Sequence, residues 1–92
     1  MLVQCEVTEG PREGFKAVSV ASVEGHVENF AIEERFLVRD DDDQFRLPVK
    51  VVGRDRNRKI TLIQLPVEAD SGANRAWVRD DVLSPSEDEV PA

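Results

Sequence analysis

Fourteen valines against six leucines and three isoleucines most narrow what this 92-residue chain can become. A branched Cβ loses χ1 freedom in a helix and packs well on a pleated surface, so the bias favours strands before any pattern is read. Leu, Ile, Val and Phe together number 27, enough to build a core although 34% of residues are charged and the net charge is −7. A chain of this length closes one domain, not two.

Alternating polarity places the strands. Over residues 2–8, Val3, Cys5 and Val7 face one way and Gln4, Glu6 and Thr8 the other. Gly10, Pro11 and Gly14 break that period with a loop, and strand character resumes over residues 15–23. Glu24 and Gly25 then read as a tight hairpin turn into residues 26–32. Residues 33–38 fit one helical turn or a short strand equally well. Four consecutive aspartates, Asp40 to Asp43, repel one another and mark an exposed loop.

Residues 47–53 and 59–65 form the clearest strand pair, joined by a turn over residues 54–58. Apolar residues on both faces suggest central strands covered on each side. A loop over residues 66–74 precedes a short strand over residues 75–79 carrying Trp77, and then a tight turn over residues 80–83. The reading is one domain over residues 1–83 and a disordered acidic tail over residues 84–92.

The run Ser71-Gly72-Ala73-Asn74-Arg75-Ala76-Trp77-Val78-Arg79-Asp80-Asp81-Val82-Leu83 resembles the last part of an SH3-like barrel, in which a glycine turn, a short strand, a 3₁₀ turn and a final strand follow in that order. The resemblance implies a mainly β fold, a small antiparallel barrel of five to six strands. It carries no activity, because such barrels host peptide binding, nucleic-acid contacts and scaffolding alike. Proline-rich peptide recognition needs a groove lined by several aromatics, and this chain has no Tyr, one Trp and four Phe. An OB-like barrel, with a short helix over residues 33–38, is the alternative.

No catalytic constellation is legible. His26 lies beside a predicted turn with no motif placing a nucleophile or an orienting acid around it. One Cys and one His fall short of a zinc site, and the aspartate run lacks the alternate spacing and glycine bend of a calcium loop. Cys5, within an alternating run, reads as a buried and inert thiol. Gly10 and Gly14 lack the lysine and strand-to-helix setting of a phosphate loop. The expectation is a protein without enzymatic activity, cofactor or metal.

Charge is segregated. Residues 44–63 hold six basic side chains and one acid, a local +5 in a chain of net −7. Arg54, Arg56, Arg58 and Lys59 form a projecting basic finger, and Arg75, Trp77 and Arg79 lie on the neighbouring late strand; these seven are the candidate partner-binding residues. Trp77 with Phe15, Phe30, Phe36 and Phe45 is expected to fill the core. The expected function is a binding or assembly module for a protein partner or for self-association. A nucleic-acid-binding barrel is one alternative, disfavoured because the remaining surface repels polyanions. An enzyme with a site shared across an oligomer interface is the other. No apolar run long enough to span a bilayer and no basic, apolar leader occur, so the expectation is a cytoplasmic protein with no membrane partner.

Overall fold

The valine-rich segments become ten short strands in the computed structural model, which describes residues 1–85. In chain order they are β1 (Leu2–Gln4), β2 (Glu6–Glu9), β3 (Phe15–Ala21), β4 (Val27–Glu33), β5 (Val38–Arg39), β6 (Phe45–Pro48), β7 (Lys50–Asp55), β8 (Ile60–Gln64), β9 (Arg75–Arg79) and β10 (Leu83–Ser84). Two 3₁₀ turns, Glu34–Phe36 and Asp80–Val82, lead into β5 and β10. The described residues contain no α-helix, and no helix long and apolar enough to cross a membrane.

The strands form three antiparallel sheets, in the orders β10-β1-β6-β5, β2-β3-β4 and β7-β8-β9. Cys5 separates β1 from β2 and Val49 separates β6 from β7. The strands expected over residues 2–8 and 47–53 are therefore each split, and each serves two sheets. At the second break the cause is local. Pro48 has no N–H to give a ladder, and the next amide, Val49 N–H, donates to the Met1 carbonyl at 2.9 Å.

The ladders do not close into the barrel expected from the sequence. Residues 22–26 form a turn rather than a strand, and they meet β9 through the Val23 N–H, which donates to the Trp77 carbonyl at 2.9 Å. This turn is longer than the one expected at Glu24 and Gly25. Ala21 pairs with Val27, and the Ser22 N–H closes the turn on the His26 carbonyl at 2.8 Å, with Gly25 at a φ of 82° that disfavours a side chain. Residues 33–38 hold both alternatives in succession, a 3₁₀ turn and then β5. Ser84, read as the start of the tail, pairs with Leu2. Residues 86–92 of that tail lie outside the described residues.

The core follows strand alternation. Val3, Val18, Val20, Leu47, Ile63 and Val78 are at most 1% exposed, and Phe30, Ile32, Leu37 and Leu65 pack with them. The aromatic core expected from the sequence is corrected, because Phe30 alone of the five aromatics is buried. Phe15 and Phe45 begin strands and Phe36 ends a 3₁₀ turn. Arg12, Arg39 and Arg35 lie over those rings at 4.3, 4.5 and 4.8 Å from the centroids. A weakly hydrated guanidinium stacks on an aromatic face, so it covers the part of these rings left outside the core, against which Phe45 still packs. Trp77 is half-buried.

Candidate functional site

The β7–β8 turn is shaped by its own side chains. Asp55 Oδ1 accepts the Arg58 backbone N–H at 3.1 Å, and Lys59 takes a φ of 56°, a left-handed conformation uncommon for a residue with a Cβ. Arg56, Asn57, Arg58 and Lys59 are all exposed. The Lys59 carbonyl accepts the Asp80 N–H at 3.0 Å, which ties the turn to the end of β9.

Cross-strand register sorts the rest of this sheet by face. Thr61 and Ile63 of β8 lie opposite Val78 and Ala76 of β9, and all four are buried. Ile60, Leu62 and Gln64 belong to the other face, opposite Arg79, Trp77 and Arg75. Their partners on β7 are Asp55, Gly53 and Lys50. Lys50 and Gly53 are three residues apart and would lie on opposite faces of a regular strand. The β-bulge between Val51 and Gly53 inserts Val52 as an extra residue and brings Lys50 onto the same face.

Three rows result: Lys50, Gln64 and Arg75; Gly53, Leu62 and Trp77; Asp55, Ile60 and Arg79. Successive rows are about 6.7 Å apart along the strands. Leu62 and Trp77 are half-buried, and Ile60 is 6% exposed although it lies outside the main core cluster. Cations therefore lie at both ends of this outer face, with an apolar middle.

Of the seven candidate residues, the fold gathers Arg56, Arg58 and Lys59 at the turn, sets Arg79 at the same end of the sheet, and continues with Trp77 and Arg75 along β9. Arg54 departs from the group. It pairs with Thr61 and so belongs to the opposite face. Lys50, Gly53 and Leu62 escape the sequence reading, since a strict two-residue period puts Lys50 on the wrong side; the signal that could have found them is Gly53 itself, a glycine inside a strand pattern, which marks a bulge.

Ion pairing is distributed unevenly. Arg39 bonds Asp43 at 2.7 Å, Arg46 bonds Asp40 at 2.8 Å, Arg35 bonds Glu33 at 2.6 Å, Lys16 lies between Glu9 and Glu34, and Arg79 bonds Asp81. Apart from Arg12, which covers Phe15, the cations without an ion pair among the described residues are Lys50, Arg54, Arg56, Arg58, Lys59 and Arg75. All six belong to the β7–β8–β9 sheet or its turn.

The aspartate run satisfies itself. Asp40 accepts the backbone N–H groups of Asp42 and Gln44, each at 2.9 Å, and the Arg46 guanidinium. The Gln44 N–H foremost, with Arg46 and the Asp42 N–H, holds the Asp40 carboxyl below its ordinary range. This carboxylate is the organising group of its turn.

His26 is exposed in the β3–β4 turn. Cys5 is half-buried, with its Sγ 3.8 Å from the Phe45 carbonyl. Burial pushes its thiol up to about 11, against a weaker opposing pull from Arg46. A rise from 9.0 to about 11 lowers the thiolate fraction at neutral pH by roughly 100-fold. Alkylation of the native protein at pH 7 is accordingly expected to be far slower than that of the urea-unfolded chain, as followed by mass spectrometry; equal rates would contradict the burial account.

Compared with known protein families, curated proteins and solved structures, this chain matches none of them significantly.

Proposed function

We propose that this chain is a non-enzymatic binding module, of SH3-like design, which takes an acidic protein segment on the β7–β8 hairpin and the adjoining strand β9. The SH3-like part of the reading is supported by the order of the last elements, in which β9 runs through the 3₁₀ turn Asp80–Val82 into β10, and β10 returns to pair with β1. The binding part is carried by a single observation: in an acidic molecule, the cations that have no ion pair among the described residues are concentrated on this one sheet and its turn. Exposed charges left without partners steer and orient an oppositely charged molecule. Cytoplasmic location and the lack of catalytic activity belong to the same proposal.

A nucleic acid is the competing partner, since Trp77 lies between arginines on β9. The net charge of −7 opposes it. Titration of ¹⁵N-labelled protein with a capped acidic peptide, and separately with single- and double-stranded oligonucleotides, distinguishes the two. The expected result is amide shifts at residues 56–59 and Arg79 with the peptide, fading as salt rises. Exposed charge pairs contribute about 0.2–1 kcal/mol each, so the Arg56→Glu, Arg58→Glu double variant is expected to weaken peptide binding about tenfold. Tighter binding of an oligonucleotide than of the peptide, or indifference to the double variant, overturns the reading.

A further inference from the structure

Resting on that reading, we infer that the outer face of β7–β8–β9 selects, within an extended acidic segment, one apolar side chain flanked at two-residue spacing on both sides by carboxylates. The middle row carries the selectivity. Gly53 has no side chain, and a Cβ built on it meets only Leu62, at 3.6 and 3.9 Å, which leaves a notch with Leu62 as its wall and Trp77 on the far side of Leu62. Both Leu62 and Trp77 retain partial exposure that an apolar ligand atom would cover. The flanking rows supply the charges. Lys50 and Arg75 stand at one end, without ion pairs among the described residues; Arg79 and the basic turn stand at the other, with Asp55 in the same row.

Spacing then fixes the ligand. An extended segment lying along the strands repeats its side chains at the same interval of about 6.7 Å per two residues as the rows beneath it. An apolar residue over Gly53 and Leu62 therefore places one group two residues away over Lys50 and Arg75, and the other over the Arg79 row, where Asp55 also stands and the basic turn supplies the free cations. Arg79 already holds Asp81, two residues on, so the unpaired Arg75 end carries the larger share of the recognition.

The test uses the whole chain and two capped synthetic peptides, one with a leucine flanked at two-residue spacing by aspartates and one with serine in place of that leucine. Trp77 is the sole tryptophan and there is no tyrosine, so intrinsic fluorescence reports on this face alone, alongside amide shifts. The leucine peptide is expected to bind about tenfold tighter than the serine peptide and to shift Gly53, Leu62 and Trp77. Gly53→Leu fills the notch and is expected to abolish that preference while the shifts at residues 56–59 persist. Arg75→Gln is expected to weaken binding of both peptides, with recovery in Arg75→Lys; this exposed position keeps the test decisive if Gly53→Leu does not fold by circular dichroism. Equal binding of the two peptides, with shifts confined to residues 56–59, overturns the inference and leaves the proposed function standing. No shift anywhere removes both. Preference for an oligonucleotide, or a dimer that Gly53→Leu dissociates on sizing chromatography, overturns it in favour of a nucleic acid or a second copy.

Discussion

Gly10→Ala is expected to lower folding stability by about 3 kcal/mol or more. A Cβ built at this position lies 2.8 Å from the Lys16 backbone nitrogen and closer still to the Phe15 carbonyl. The obstruction is main chain, so no rotamer change relieves it. That main chain is also pinned, because Lys16 pairs with Glu9 in the β2–β3 ladder and the Phe15 N–H donates to the Arg12 carbonyl at 3.1 Å. Relief requires the hairpin to open where it starts. Urea unfolding followed by Trp77 fluorescence measures the loss, and an unchanged midpoint would show that the loop relaxes more freely than its hydrogen bonds imply.

Leu47→Ala is expected to destabilise the protein by about 2–5 kcal/mol, a large share of the roughly 5–15 kcal/mol that holds a domain folded. Leu47 is wholly buried on β6, opposite the equally buried Val3 of β1, at the centre of the four-stranded sheet. Truncation removes its transfer free energy and leaves a cavity that the β-branched neighbours, stiff at χ1, fill poorly. Leu62→Ala is the informative comparison. Leu62 is half-buried on the outer face of β8, and the same truncation there is expected to cost about 1 kcal/mol or less. Comparable losses at the two sites, read from urea titrations, would mean that the outer face is core and not a surface open to a partner.

Much of the layout was legible in one dimension. The strand over Arg75–Arg79 and the tight turn after it fall where glycine, alternation and the aspartate pair put them. The aspartate run stays in a turn, for a reason composition does not supply: Asp40 is held by two backbone amides and Arg46. The aromatic core failed as an expectation because size alone ranks Phe and Trp as core residues, whereas Phe15, Phe36 and Phe45 stand at element ends where an arginine can cover them.

What the chain's valines and alternation determined by themselves is that it is mainly β, with strands near the expected segments and a basic turn, residues 56–59, between two of them, since these depend on near neighbours along the chain. Which side chains share a face was decided only in three dimensions. The chain passes from one sheet to another at Val49, just after Pro48, and the extra residue Val52 shifts the β7 register so that Lys50 joins Gly53, Leu62 and Trp77 while Arg54 falls on the other side. The reason is geometric: strand side chains alternate with a period of two, so a one-residue slip in pairing transfers every residue beyond it to the opposite face.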